Sequence, residues 1–154
     1  RLSKIAHKGP WAGRAKRRAP FIAALGVQMR YTHDTWSVDL PNHWQVEETD
    51  ECLAMYNPDG VGAFQVTSFF KEDGDVTFED LLEFAEVESP EKTDLPFLNG
   101  IFKKITDAGD TFFSWWLCGA NHLVYVTYIC STEDEGVESQ EREEVIHSLR
   151  SHYA

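Results

Sequence analysis

Histidine and carboxylate side chains lie close together in one part of the sequence, where His33 and Asp34 are adjacent and His43 follows nearby. Imidazole and carboxylate groups bind metal ions and act as general bases. A metal site requires a third ligand at a fixed spacing, and the sequence offers none here. We therefore interpret these residues as solvent-facing positions at a strand start and in a proline-led turn.

Two cysteines could pair with a histidine to form a nucleophile, Cys118 or Cys130 with His122 or His147. A reactive thiolate needs an exposed, electropositive setting. Both cysteines instead alternate with apolar residues in an acidic chain. That pattern favours buried structural cysteines.

Serine nucleophiles and ligand-binding loops lack their usual sequence context. Ser37, Ser68 and Ser114 lie inside predicted strands, and no Gly-x-Ser-x-Gly elbow surrounds them. The acidic runs, which include 47–51 and 133–135, do not match the twelve-residue calcium loop, and no glycine-rich phosphate loop is present. We therefore expect no catalytic residue, no metal and no cofactor, and we expect that the protein is not an enzyme.

Five tryptophans are the least ordinary feature of the composition. Trp115 and Trp116 are adjacent on a predicted strand, so their side chains point to opposite faces of the sheet. Either both faces are covered and both rings are buried, or one ring lines a groove or a partner contact. The second possibility includes a pocket near these rings and His122, as in a small hydrolase or a ligand-binding domain.

The strands that position these residues are predicted from periodicity and turn chemistry. They are expected where apolar residues alternate or run continuously between turn signals, at 35–40, 44–48, 52–56, 62–70, 97–106, 111–119 and 122–130. The stretch 89–96 is polar and holds two prolines, so it is predicted to be a loop.

Two helices are predicted. Thr77 and Asp80 form a capping box at the start of helix 77–88, whose apolar stripe is expected to face the sheet: Phe78, Leu81, Leu82 and Ala85. A second helix is expected over 138–152, acidic at its start and basic at its end, with one apolar side: Val145, Ile146, Leu149 and Tyr153. The order ββββ-α-βββ-α predicts an α+β fold, a mostly antiparallel sheet of about seven strands with helices packed on it as an α-β-α sandwich.

Charge is segregated along the chain. The net charge is −12, yet residues 1–30 carry eight basic and no acidic side chains, and the other six basic residues share 31–154 with all 26 acidic ones. The strongly acidic surface expected for 31–154 repels phosphate backbones and anionic lipid, so we expect neither nucleic acid nor membrane as a partner. The acidic charge favours a basic protein partner, or it serves solubility alone.

Three cysteines without zinc-site spacing argue against a disulfide framework and favour a reducing compartment, so a cytoplasmic location is expected. Residues 1–28 differ in composition from 29–154, which we expect to be a single domain. As a signal peptide or twin-arginine signal the segment has too short an apolar run, and as a nucleic-acid arm it is opposed by the acidic domain. We favour translation from Met29 and expect 1–28 to be a poorly ordered extension.

Four segments, TWSVDLPNHWQVEE, MYNPDGVGAFQVTSFF, TFEDLLEFAE and FFSWWLCGANHLVYVTYIC, followed by an acid-led helix, resemble the PsbP-like superfamily. The likeness spans nearly all of 31–152 and includes a strand that ends in Leu40 and Pro41, with Trp44 after two residues. It implies an α-β-α sandwich used for binding other proteins. The superfamily includes a photosystem II subunit, a yeast nuclear-transport factor that binds the GTPase Ran, and bacterial members that resemble adaptors for secreted toxins. No site residue is carried over from it.

The function hypothesis is therefore a non-enzymatic protein-binding domain, in the form of a toxin-neutralising immunity protein or a secretion adaptor. We expect an acidic rim around exposed aromatic side chains to meet the partner. The candidate partner-binding residues are Trp36, Trp44, Asp50, Glu51, Asp73, Asp75, Trp116, Asp134 and Glu135. The sequence leaves the partner's identity and the oligomeric state open.

Overall fold

The structure is a computed structural model that describes residues 2–3 and 28–153. Nearly all of the segment 1–28, expected to be a poorly ordered extension, lies outside the described residues. Among those described, no helix is both long enough and apolar enough to cross a membrane.

The strands are β1 Leu2–Ser3, β2 Met29–Thr32, β3 Trp36–Leu40, β4 Gln45–Glu48, β5 Leu53–Tyr56, β6 Gly62–Lys71, β7 Glu91–Asp94, β8 Asn99–Asp107, β9 Asp110–Gly119, β10 His122–Ser131 and β11 Arg150–Ser151. The α-helices are α1 Phe78–Ala85 and α2 Ser139–Ser148, and a 3-10 turn at Thr132–Asp134 precedes α2. The fold is therefore α+β and rich in strands, as predicted.

Most strands form one antiparallel sheet, the main sheet, in the order β4-β5-β6-β10-β9-β8-β7, and β1 pairs with β6. The pair β6 and β10 lies near its centre, with His122 opposite Phe70 and Cys130 opposite Gly62. Hairpins then place β9 beside β10 and β8 beside β9. This register decides which side chains of β6 and β10 can meet.

A smaller sheet joins segments from both ends of the domain, with β3 between β2 and β11. Arg150 lies opposite Ser37. Just beyond β11, the His152 amide donates to the carbonyl of Thr35 at 2.9 Å. The small sheet is therefore complete only when the end of the chain has returned to β3.

One face of the main sheet packs on the small sheet and on α2. Successive side chains of a strand point to opposite faces, and on this face Trp115 and Val124 lie in one apolar cluster with Trp36 of β3 and Val145 of α2. The small sheet and α2 thus share the cover of this face.

The opposite face packs on α1. Trp116 and Leu123 belong to a second apolar cluster that includes Leu81 of α1. Trp115 and Trp116 are each only 4% exposed. Both rings are therefore buried, one on each face, and Trp116 does not line a surface groove.

The order of elements differs from the predicted ββββ-α-βββ-α at four strands, because β1, β2, β7 and β11 were not expected. Of these, β2, β7 and β11 lie at the edge of a sheet, and the two-residue β1 pairs with β6. In β7, which falls in the predicted loop 89–96, Glu91, Lys92 and Asp94 are exposed, so the strand shows no apolar alternation. Its pairing with β8, rather than its own side chains, makes it a strand.

The predicted capping box at the start of α1 is confirmed. The Thr77 hydroxyl accepts a hydrogen bond from the Asp80 amide at 3.1 Å, and the Asp80 carboxylate accepts one from the Thr77 amide at 2.8 Å. The helix ends at Ala85 rather than at residue 88, because Glu86 takes the left-handed conformation, with φ of 54°.

The apolar stripe of α1 is narrower than predicted. Leu81 is buried, but Phe78 and Leu82 are 37% and 38% exposed. The expectation that all of these side chains face the sheet was wrong, because a helix of only about two turns packs on the sheet through a single row.

Polar groups as well as apolar ones attach α2 to the main sheet. Glu138, next to the start of the helix, is buried and accepts hydrogen bonds from the Tyr128 hydroxyl at 2.6 Å and from the Gly62 amide at 3.3 Å. The Arg142 guanidinium lies 3.9 Å from the centre of the Phe113 ring. These contacts fix the start of α2 over β6, β9 and β10.

The predicted apolar side of the last helix is largely confirmed. Val145, Ile146 and Leu149 are buried, although Leu149 lies beyond the end of the helix. Tyr153 is 48% exposed, so its assignment to this side was wrong. The chain leaves the helical path after Ser148 to pair as β11.

We expect Asp80→Asn to destabilise the protein at neutral pH and to have no effect in strong acid. Hydrogen bonds from the Lys71 side chain and from the Thr77 backbone lower the pKa of Asp80 to about 2. Its stabilisation is therefore fully present above the unfolded-state pKa of about 4 and is lost as pH falls through about 2. Urea unfolding of both proteins at pH 7 and below pH 2 measures the difference, with the exposed Asp73→Asn as control. A difference that persists below pH 2 would contradict this account.

We expect Tyr128→Phe to lower the free energy of unfolding by about 1–3 kcal/mol, because the buried Glu138 carboxylate loses a donor. The fold should be retained, since the rest of the ring stays in the core. Urea unfolding at neutral pH measures the loss, and Tyr153→Phe, at an exposed position, is the matched control. Equal values for the two variants would show that the hydrogen bond does not stabilise the protein.

Candidate functional site

A cavity of about 270 Å³ lies where the two sheets meet. Three segments form it: the turn 33–36 that leads from β2 into β3, the loop 48–53 that leads from β4 into β5, and residues of β6 between 66 and 70. The small sheet therefore supplies one wall and the main sheet supplies the others.

Carboxylates surround this cavity. Asp34, Glu48, Asp50 and Glu51 all line it, and among the described residues that line it there is no lysine or arginine. Asp34, Asp50 and Glu51 are exposed at its mouth, and Glu48 is half-buried. We call this cavity the acidic pocket.

Thr49 holds the loop that carries two of these carboxylates. Its amide donates to the carbonyl of Cys52 at 3.0 Å. Its hydroxyl oxygen accepts from the amides of Glu51 and Cys52 at 3.3 and 3.2 Å. The side chain thus satisfies the backbone of a tight turn, and Asp50 and Glu51 are left pointing toward solvent.

His33 and Trp36 form one side of the pocket. Their rings stack with centres 5.0 Å apart and planes at 17°, and His33 Nε2 lies 3.8 Å from a carboxylate oxygen of Glu48. His33 Nδ1 is buried and has no hydrogen-bond partner.

The cysteine of the pocket does not supply a thiolate. Burial raises the pKa of the Cys52 thiol, the Thr49 hydroxyl lowers it by a smaller amount, and the nearby Glu51 charge raises it further. Burial likewise raises the pKa of Cys118 and of Cys130. The raised pKa values keep these thiols protonated at neutral pH, which disfavours a cysteine–histidine nucleophile.

A chain of hydrogen bonds runs from the pocket into the domain. Ser68 of β6 lines the pocket, and its Oγ lies 2.8 Å from Thr35 Oγ1 and 3.0 Å from His122 Nε2. His122 Nδ1 lies 2.7 Å from Ser151 Oγ. We call Thr35, Ser68, His122 and Ser151 the hydroxyl–imidazole chain. Its two ends are Thr35, in the turn before β3, and Ser151, in β11, and its middle members lie in β6 and β10 of the main sheet.

His122 is fully buried in this chain. Its ring stacks on Phe70, with centres 4.7 Å apart and planes at 8°, and meets the Tyr153 ring edge-on at 5.3 Å. Burial lowers the pKa of His122 to about 4, and the charge of His152 adds to this effect. The imidazole is therefore neutral at neutral pH and acts as one donor and one acceptor.

Only part of the predicted partner-binding set comes together. Trp36, Asp50 and Glu51 all line the acidic pocket. Asp73 and Asp75 are exposed in the segment between β6 and α1, outside the residues that line it.

The other predicted residues lie elsewhere. Asp134 and Glu135 follow β10 at the end opposite His122, and Glu135 accepts from the Lys104 ammonium at 2.6 Å. Trp44 is fully buried, and Trp36 is 1% exposed. The expectation of exposed aromatic side chains was therefore wrong for both, because each turns its ring into the core between the sheets.

The hydroxyl–imidazole chain was only partly anticipated. His122 was named as a pocket residue near Trp115 and Trp116, but neither tryptophan lines the acidic pocket, and His122 reaches it only through Ser68. A histidine at the head of an apolar strand was the sequence feature that could mark the chain. Among the described residues, no group of three or more His, Cys, Asp or Glu side chains is placed to hold a metal ion.

We expect His122→Gln to cost stability at pH 7 and progressively less as pH falls to 4. In the unfolded chain this histidine binds a proton below about pH 6.5, whereas in the folded protein it does so only near pH 4. The free energy of unfolding of the wild type therefore falls by up to about 3 kcal/mol over this range. Urea unfolding between pH 7 and 4 measures the gap between wild type and variant. His147→Gln, at an exposed position, is the control. A gap that stays constant with pH would contradict a neutral buried His122.

No protein-family model matches the chain, and no curated protein matches it. A solved structure from Bacteroides thetaiotaomicron VPI-5482, a crystal structure at 1.50 Å resolution, is similar to it, with a TM-score of 0.60 and 21% sequence identity. The match covers 75% of this chain but 44% of that one, so the chain spans less than half the length of this neighbour. At this identity the likeness shows a shared fold.

Proposed function

We propose that this chain binds another protein and that the acidic pocket receives a lysine or arginine side chain of that partner. The observation that supports this most is the presence of four carboxylate side chains in its lining, with no lysine or arginine among the described lining residues. The positive charge of a lysine or arginine side chain in the pocket is attracted to these negative charges.

The pocket has room for one long side chain and lies just below the usual size range of sites for drug-sized ligands. Sites for drug-sized ligands usually enclose about 300–1,000 Å³, and this cavity encloses about 270 Å³. Apolar side chains also line the pocket, the half-buried Phe70 among them, and can contact the methylene groups of lysine or arginine, while the charged end meets the carboxylates at the mouth.

The overall charge supports the same kind of partner. Residues 31–154 carry 26 acidic and six basic side chains, so the domain attracts a basic protein over a distance before contact. Such steering raises the association rate and is weakened by salt. The pocket then supplies the specific contact.

The resemblance to the PsbP-like superfamily supports binding as the general activity. On this basis the concrete forms we propose are a toxin-neutralising immunity protein or a secretion adaptor. An acidic surface is complementary to a basic partner protein in either case.

We expect the double variant Asp50→Asn/Glu51→Gln to bind a hexalysine peptide about tenfold more weakly than wild type at low salt, because each of the two lost ion pairs near the surface is worth up to about 1 kcal/mol and about 1.4 kcal/mol corresponds to tenfold in affinity. Titration calorimetry at low and high salt measures this. The matched control, Asp73→Asn/Asp75→Asn, removes the same charge outside the pocket and should change affinity far less. Equal losses in the two variants would show that net charge, and not the pocket, binds the peptide.

The same pair of variants identifies the natural partner. The full chain, tagged and used for affinity capture at low and high salt, should retain a basic protein that is lost with Asp50→Asn/Glu51→Gln and kept with Asp73→Asn/Asp75→Asn. A partner retained by all three proteins would place the binding surface outside the pocket.

A further inference from the structure

We propose that Ser68 is a nucleophile and His122 its general base, and that together they cleave esters bound in the acidic pocket. The proposal rests on a hydroxyl that faces a cavity, a buried imidazole within hydrogen-bond distance of it, and a second hydroxyl that orients the imidazole. These are the geometric relations that define an activated serine, in whatever fold they occur.

The first relation is between Ser68 and the cavity. Ser68 is half-buried in β6 and lines the acidic pocket, so its Oγ can meet an acyl group that enters there. His122 Nε2 lies 3.0 Å from this oxygen. That is the distance at which an imidazole accepts the proton of an attacking serine.

The second relation concerns the orientation of the imidazole. Ser151 Oγ accepts the Tyr153 amide at 3.0 Å and lies 2.7 Å from His122 Nδ1. With the proton on Nδ1, His122 donates to Ser151 and leaves Nε2 free to accept from Ser68. Ser151 is thus a positioning residue, and the Phe70 ring stacked on the imidazole holds its plane.

The reaction follows from these roles. Ser68 Oγ attacks the carbonyl carbon of the ester and passes its proton to His122 Nε2. The carbon–oxygen bond to the leaving alcohol then breaks, and the alcohol takes that proton. A water molecule next attacks the acyl-serine and gives a proton to His122 Nε2. The bond between the acyl carbon and Ser68 Oγ then breaks, His122 returns this proton to Ser68 Oγ, and the acid is released. The Thr35 hydroxyl, 2.8 Å from Ser68 Oγ, is placed to donate to the carbonyl oxygen as negative charge develops on it.

The pocket indicates the class of substrate. Asp34, Glu48, Asp50 and Glu51 favour an ester that carries a positive charge near its acyl group. This preference rests on the proposed function of the pocket, whereas the reactivity of Ser68 does not. A base whose pKa lies near 4 takes up a proton less readily than one near 7, so we expect slow turnover and choose a covalent probe.

The test is to label the full chain with an uncharged alkyl fluorophosphonate and to locate the adduct by peptide mass spectrometry. We expect one adduct, on Ser68, in the native protein and none after heat denaturation. Ser68→Ala and His122→Gln should abolish labelling. Ser89→Ala, which removes an exposed serine of the loop after α1, should leave it unchanged.

Two results would overturn the proposal: no adduct on Ser68 in the native protein, or equal labelling of Ser68 in wild type and in a folded His122→Gln variant. Because His122 is buried, its variant is compared only if its circular dichroism matches that of wild type. If this variant does not fold, the test compares labelling of native wild type with labelling of the denatured chain and of Ser68→Ala.

A second measurement separates reactivity from charge preference. Native protein is offered the ethyl esters of benzoyl-arginine and benzoyl-glutamate, which share a leaving group and differ in charge. We expect the arginine ester to be cleaved about tenfold faster at low salt, with the ratio lost in Asp50→Asn/Glu51→Gln. If Ser68 is labelled but the two esters are cleaved equally fast, Ser68 is a nucleophile and the acidic pocket does not bind a cationic group.

Discussion

The central strands of the main sheet are apolar on both faces, and the rest of the structure depends on covering both. Trp115 and Trp116, adjacent in β9, each need a cover on their own side. On one side α1 and the segments next to it supply the cover, since Val76 and Val87 pack in the same cluster as Leu81. On the other, α2 covers only part of the face, and the small sheet covers the remainder by placing Trp36 and its neighbours over the main sheet. The acidic pocket lies where that second cover reaches β6, so the site is a result of how the core is closed.

Elements whose own side chains determine their structure could be predicted from the sequence. The capping box of Thr77 and Asp80 is local, and the long apolar strands β9 and β10 leave no alternative to a covered sheet. The strand β7 could not be predicted, because its exposed side chains carry no periodicity and its partner supplies the structure. The alternation of apolar and polar residues around Trp36 predicted a strand with one buried face, but such a pattern does not reveal which element packs against that face.

In the site, too, features set by local sequence could be predicted and those set by distant pairing could not. Asp50 and Glu51 could be proposed from local charge, and both line the pocket. The contact between Ser68 and His122 joins residues that are 54 positions apart and depends on the register of β6 against β10. A shift of that register by one residue would turn one of the two side chains to the opposite face. Sequence patterns do not specify the pairing of distant strands, which is why Ser68 was considered and set aside.

The pairing of β11 with β3 has a consequence for the order of assembly. The main sheet is built largely from hairpins, whose short loops close at low entropic cost. The small sheet must instead join Trp36 to Ser151 across most of the chain, and such long-range contacts form late in folding. Ser151 of β11 is one end of the hydroxyl–imidazole chain, so this chain is complete only after β11 has paired with β3. A protein that has formed its main sheet but has not docked β11 would be compact and yet leave His122 Nδ1 without Ser151.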